Sequence, residues 1–384
     1  MSRTRQRRGS GTAVAPRGRA STSAATRPDR PSRLGADADA APPRRADRRL
    51  LALAALSVVC VLVAVGYVAL AARRTDLRAV AAAPTAAPGT LAAVRAQRHV
   101  MFLESQGDAF RRVALAPLDA IDGGRVLTSL QCQRVHFAAG HGLCLGRNQL
   151  GGAFVFDESF QPGETLPISG IPSRARVSPD GRYGAMTVFV TGHSYSEGGF
   201  STETTLVDMT SGKLLGDLER FEVLKADGAK FQAPDFNFWG VTFARDSNRF
   251  YATLGTGGRY YLVEGDVAAR RLRVVRDGVE CPSLSPDGTR IAFKKREGGG
   301  GTGPIRWRLA VLDLATMAET PLAETHSVDD QVEWWDNQNL VYFLPDEGPP
   351  STIRPDLWVL PVDGSGPAHR VGTAAFSPAI VGTG

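Results

Sequence analysis

Ser178-Pro-Asp-Gly181, inside RVSPDGRYGAMTVF (Arg176–Phe189), is repeated as Ser285-Pro-Asp-Gly288 inside SLSPDGTRIAFKK (Ser283–Lys295). Proline sets φ at the first corner, aspartate caps the turn and glycine takes the positive φ, so each tetrapeptide is a tight hairpin between two strands. Weaker copies fill the same slot: AAGHG (Ala138–Gly142) before LCL, ARDSN (Ala244–Asn248) before RFYATL, and WDNQN (Trp335–Asn339) before LVYFL. Phe376-Ser-Pro378 supplies a sixth, with no strand behind it.

A second mark follows each copy. An apolar strand ends at an acidic turn residue at Asp119, Asp157, Asp208, Asp266, Asp313 and Asp363, with gaps of 38, 51, 58, 47 and 50 residues. Four short strands need about 40–50 residues, the length of one propeller blade, so six acidic turns imply six blades. The ends complement each other. Asp119 has strands before it (His99–Glu104 and Arg111–Pro117) but no inner strand of its own, whereas Ala374–Ile380 is an inner strand with nothing after it. Pairing the last strand into the first blade completes both and removes exposed sheet edges. The expected fold is all-β, a six-bladed β-propeller over residues 95–384.

The repeats resemble the propeller domain of the TolB family, periplasmic proteins of the Tol system, and related WD-like propellers with SPDG turns, over about residues 95–381. The resemblance implies the six-bladed fold and a protein-binding habit. It does not reach the separate N-terminal α/β domain of that family.

An apolar segment precedes the ring instead. Leu50–Ala72 reads LLALAALSVVCVLVAVGYVALAA, 23 residues without a charge. At about 1.5 Å per residue a helix of that length spans roughly 34 Å, enough for the ~30 Å hydrocarbon core. Arg44, Arg45, Arg48 and Arg49 stand before it, which places the N-terminus in the cytoplasm and the ring outside. The expectation is an uncleaved, single-pass signal-anchor. The alternative is secretion after signal-peptide cleavage, since Ala69-Leu70-Ala71 resembles a small-x-small site. Residues 1–49 hold 13 Arg, no Lys and 4 Asp with almost no large apolar side chains, and read as a disordered basic cytoplasmic tail. Residues 73–94 read as an Ala/Pro linker. The chain carries +6, of which residues 1–49 contribute +9, so the remainder sums to −3. The high pI therefore belongs to a tail, and no nucleic acid is expected on the folded domain.

Candidate chemistry is sparse. Gly192-His-Ser-Tyr-Ser196 approaches a nucleophile elbow but is followed by loop and strand where a helix is required. The six histidines lack metal spacing, and Gly298–Gly303 lacks the strand, helix and Lys-Ser/Thr pair of a phosphate loop. The inner-strand slots place His136, Arg176, Thr242, Ser283 and Glu333 around a polar axial funnel. With one carboxylate among them, the set makes a poor calcium site, and no cofactor is implied. Cys132 and Cys144 flank a turn on adjacent strands, close enough to bond in an oxidising compartment. The insertion Glu219–Asn237 is the candidate recognition loop, with Phe221, Phe231, Phe236, Phe238 and Trp239 as its aromatic residues. The tryptophans are read first as wedges between blades. The expected function is a non-catalytic module binding an unidentified protein or cell-envelope component. The alternative is a propeller hydrolase, lactonase-like or glycan-directed, with its site on the axis and carboxylates converging there.

Overall fold

Both SPDG turns close identically. The Gly181 and Gly288 amides each donate 2.8 Å to the carbonyl of the turn's serine, Ser178 and Ser285. Each serine Oγ donates to the turn's aspartate (2.7 and 2.6 Å) and accepts the amide of the next strand's first residue (Tyr183, 2.9 Å; Arg290, 3.0 Å). The two glycines sit at φ +74° and +75°. A Cβ on Gly288 would meet nothing within 4 Å, whereas one on Gly181 would stand 2.8 Å from His141 Cδ2 and 3.0 Å from the Ala139 carbonyl. Gly288→Ala should therefore cost only left-handed backbone strain, about 1–2 kcal/mol, and Gly181→Ala measurably more. Urea midpoints of the two variants check the order.

A computed structural model describes residues 52–53, 55–67, 88–146, 152–190, 201–298, 305–345 and 354–382. The strands form six sheets. Blade 2 is β4–β5–β6–β7 (Arg134–Ala138, His141–Leu145, Ala153–Asp157, Pro162–Leu166), inner strand first. Blade 3 is β8–β9–β10–β11 (Ile171–Val177, Tyr183–Val190, Ser201–Asp208, Leu214–Asp217). Blade 4 is β13–β14–β15–β16 (Asn237–Phe243, Arg249–Thr256, Arg259–Asp266, Arg271–Asp277), with β12 (Glu222–Leu224) added as a parallel fifth strand. Blade 5 is β17–β18–β19–β20 (Glu280–Leu284, Arg290–Glu297, Arg306–Asp313, Glu319–Pro321). Blade 6 is β21–β22–β23–β24 (Glu333–Trp334, Asn339–Pro345, Pro355–Pro361, His369–Gly372). Blade 1 joins the two ends of the ring: β25 (Ala375–Val381) pairs antiparallel with β1 (His99–Glu104), followed by β2 (Arg112–Pro117) and β3 (Val126–Gln131).

The acidic turns occupy one position in every blade, between the third and fourth strands. Asp157, Asp208, Asp266, Asp313 and Asp363 each accept an amide two or three residues on, at 2.7–3.1 Å. An aspartate is preferred there because its carboxylate satisfies amides that the turn leaves unpaired.

Among the described residues the apolar core is divided into clusters. Each of six apolar clusters lies between two neighbouring blades: Met101, Leu103 and Leu115 against Phe137 and Phe156; Leu143 and Leu145 against Met186 and Val207; Leu206 against Phe238 and Phe250; Leu262 against Ile291 and Phe293; Val311 against Trp334 and Leu340; Val341 and Leu357 against Val100 and Phe102. Both faces of a sheet are therefore apolar, which is why β1 is buried at every position. Trp334 fills such a seam, as a wedge should.

Three expectations need correcting or bounding. Phe376-Ser-Pro378 is not a turn: it lies within β25, where Ser377 at φ +53° accompanies a bulge against Met101–Leu103. The linker 73–94 is not irregular throughout, because Pro88–Arg95 is a helix. Proline suits a first helical turn, and Leu91 and Val94 pack on the seam between blades 1 and 2. In the separate unit ending at Ala69, residues 52, 53 and 55–67 are helical with exposed apolar side chains such as Leu56, Val61 and Leu62. Among the described residues no helix is long and apolar enough to cross a membrane. Positions 50, 51, 54 and 68–72 of the expected span, and the tail 1–49, lie outside them.

Cys132, just beyond β3, is joined to Cys144 of β5, with Cα atoms 5.5 Å apart. A crosslink spanning 12 residues stabilises by about 3 kcal/mol. Replacing both cysteines by serine should lower the unfolding free energy by that order, read as a urea-midpoint shift that matches the effect of reductant on wild type.

Candidate functional site

The ring axis is where inner strands bring distant residues together. His136 (β4), Arg176 (β8) and Glu333 (β21) meet there, from blades 2, 3 and 6. Arg176 Nη1 donates to Glu333 Oε2 and lies 3.0 Å from His136 Nε2. The Val177 amide donates to His136 Nδ1 at 3.1 Å, so the neutral ring carries its proton on Nε2, 3.7 Å from Glu333 Oε2. Burial, reinforced by the Arg176 charge, lowers the His136 pKa and holds the ring neutral. Burial works most strongly against the Glu333 carboxylate, but Arg176 and His136 together outweigh it and hold the pKa below the ordinary range.

Thr242 and Ser283 do not join this group. Thr242 Oγ1 accepts the Leu284 amide (3.0 Å), and the Ser283 carbonyl accepts Trp334 Nε1–H (2.8 Å). Both tie one blade to the next.

The axis holds more than those slots suggested. The connection from β20 to β21 leaves its own blade, and Asp329–Glu333 run among the inner strands of the others. Arg174 Nε lies 3.0 Å from Asp330 Oδ1, and Lys294 Nζ is paired with Asp329 Oδ1. Gln331 Nε2 donates to the carbonyls of Val241 (3.0 Å) and Pro282 (2.7 Å). Arg134 Nε donates to the Ser173 carbonyl at 2.7 Å. Beside them, buried Glu280 accepts from Arg296 (3.2 Å) and from Trp307 Nε1 (3.3 Å). The signal in the sequence was the run Asp329-Asp330-Gln331-Val332-Glu333 before Trp334, opposite alternating Arg174 and Arg176.

Carboxylates do converge on the axis, but each faces a cation: Asp329 with Lys294, Asp330 with Arg174, Glu333 with Arg176. Glu333, held by a guanidinium, is a poor general base, because its pKa is depressed and its lone pairs are occupied. Among the described residues no group of three His, Cys, Asp or Glu side chains is placed to hold a metal. What the arrangement can do is bind and orient charge.

The insertion 219–237 places its aromatic residues inward. Phe221, Phe238 and Trp239 are buried, and Phe231 and Phe236 pack edge-on (5.2 Å), with Phe236 against Phe238 at 6.0 Å and Phe231 against Tyr261 at 5.9 Å. They fix the insertion on the seam between blades 3 and 4, where β12 lies on β16, with Phe231 and Phe236 half-buried. A cavity of about 250 Å³ remains beneath it, lined by Thr202, Glu203, Asp217, Glu219, Pro234 and Phe236 among others. Burial pushes the Glu219 pKa from 4.5 to about 8. The folded state thus holds a proton that the unfolded chain releases near the ordinary glutamate value, and stability falls as pH rises from about 4.5 to 8. Glu219→Gln stays neutral throughout. Its melting temperature should exceed wild type by a margin that is small at pH 4 to 5 and full at pH 8. The segment Gly192–Ser196 and most of the glycine run 298–303 lie outside the described residues.

No family model matches the chain, and no curated protein matches its sequence. Solved structures do. TolB from Acinetobacter baumannii superposes with a TM-score of 0.51 at 16% identity, covering 75% of this chain and 67% of that one. A putative TolB from Agrobacterium tumefaciens gives 0.45 at 12% identity, covering 74% and 92%. A puromycin-hydrolyzing peptidase from Mycobacterium tuberculosis gives 0.42 at 12% identity, covering 69% and 42%. At such identities the likeness is one of fold, and the chain is an all-β, TolB-like six-bladed propeller.

Proposed function

We propose that this protein is a non-catalytic binding module, tethered to the cell membrane through Leu50–Ala72, that presents its propeller outside the cytoplasm to a protein or cell-envelope component. The observation that carries this is the charge-paired axis. A propeller hydrolase gathers unpaired acids, bases or ligands where the inner strands meet. Here the three axial carboxylates Asp329, Asp330 and Glu333 are each neutralised by a cation. The topology rests on the uncharged segment and on the arginines before it.

Two measurements test the proposal. Cells expressing the full chain are fractionated: it should sediment with membranes, resist alkaline and high-salt extraction, dissolve in detergent, and expose its ring to external protease. A shortened, soluble product beginning at Ala72 would favour the secreted form. Crosslinking from membranes should then capture a partner that binds the purified, detergent-solubilised chain saturably. Turnover of lactones or glycosides that Glu333→Gln abolishes would overturn the non-catalytic assignment.

A further inference from the structure

Four basic side chains from three blades, Arg134, Arg174, Arg176 and Lys294, surround the five residues Asp329–Glu333 with their three carboxylates. The stretch is an incomplete occupant of that cationic cage. Arg176 is more than nine-tenths buried, yet its Nε has no hydrogen-bond partner. Arg174 Nε lies 3.0 Å from Asp330 Oδ1 without the alignment of a hydrogen bond. His136 Nε2–H and Arg176 Nη1–H, two donors 3.0 Å apart, converge on the same Glu333 oxygen. Donors and positive charge both exceed what the stretch supplies, and a buried donor left unsatisfied favours any ligand that can accept from it.

The first four residues of the stretch, Asp329–Val332, also stand outside regular structure. The inner strand of blade 6, β21, has 2 residues where β4 and β17 have 5 and β8, β13 and β25 have 7. Its ladder with β22 stops at Glu333↔Val341, although β22 continues to Pro345. The chain forgoes strand pairing in its own blade to send acidic residues to cations in blades 2, 3 and 5.

We propose that the axial cations are a recognition site for an acidic peptide segment of a partner protein, and that Asp329–Glu333 occupy it in cis when no partner is bound. This rests on the protein being a binding module and names the chemistry of its partner. Release of the strap is opposed by its apolar anchors, Val328 and Val332, each 1% exposed. The affinity for an outside ligand is reduced by the fraction of molecules with the strap in place, so loosening the strap raises it.

The test uses the full chain in detergent and two labelled peptides, SVDDQVEW, which copies residues 327–334, and its neutral analogue SVNNQVQW, followed by fluorescence anisotropy. Val328→Ala, and separately Asp329→Asn with Asp330→Asn, should bind the charged peptide about tenfold more tightly than wild type does. They should prefer it to the neutral peptide by a similar factor, and that preference should shrink as salt rises from about 0.1 to 0.5 M. Arg174→Gln added to either background should remove the preference. If both loosened variants, folded by circular dichroism, bind the two peptides equally, or if Arg174→Gln leaves binding unchanged, the axial site is wrong. Val328→Ala touches no charge, so a folding failure of the aspartate variant does not decide the matter. Saturable partner capture that persists in Arg174→Gln would leave the binding module standing while removing the axis as its site. Selective peptide binding with no cellular partner would do the reverse.

Discussion

Glu333→Ala is expected to be the most damaging single substitution on the axis, lowering the unfolding free energy by about 3–5 kcal/mol. The loss does not come from the pair's own strength. Arg176 is 8% exposed and its charge has Glu333 as its carboxylate partner. Removing the acid leaves a guanidinium in a low-dielectric seam with its desolvation uncompensated, beside a His136 ring that cannot accept from it. Pairing Glu333→Leu with Arg176→Met should recover most of the loss, because it removes both charges and keeps apolar volume. Urea denaturation of the two single variants and the double variant gives the coupling directly. Equal midpoints for Glu333→Ala and wild type would show that the axis is solvated and that its charges are screened.

A chain ending at Thr373, without β25, should not form a soluble, cooperatively unfolding monomer at all. β25 pairs with β1 at His99↔Val381, Val100↔Ile380, Met101↔Ala379, Leu103↔Phe376 and Glu104↔Ala375. Without it the inner edge of blade 1 is bare, and the seams on both sides lose Ala375 and Ala379, which are 0% exposed. The apolar seams each join neighbouring blades, so opening one weakens the two adjoining it, and total domain stability is only about 5–15 kcal/mol. The bare β1 edge would template aggregation. Light scattering and near-ultraviolet circular dichroism, against the full chain, check this: a folded, monodisperse truncation would show that ring closure is dispensable. Adding the excised segment as a peptide should restore cooperativity if pairing alone is missing.

The propeller was legible because its signals are local and repeated. Ser178–Gly181 and Ser285–Gly288 state their geometry within four residues, and the acidic turns repeat a single capping interaction at nearly constant spacing. Phe376-Ser-Pro378 misled by composition: Ser-Pro marks a turn unless a neighbouring strand offers it a ladder, and β1 does. The phenylalanines of the insertion, read as its apolar anchors, pack on the seam where β12 lies on β16. Three of the five axial residues met as expected. Asp329, Asp330, Arg174 and Lys294 were missed because blade 6 shortens its inner strand to two residues, and the acidic run before Trp334 does not by itself state which cations it meets.

Local preference is enough to make the turns, count the blades and pair the two ends, since each depends on residues within a few positions or on a period repeated along the chain. Which charges meet is different. Arg176 and Glu333 are 157 residues apart and become partners only when six blades close around an axis. Burial then decides the outcome, since a low-dielectric centre leaves ionised only those groups that find a counter-charge. That condition belongs to the closed ring and to no stretch of sequence within it.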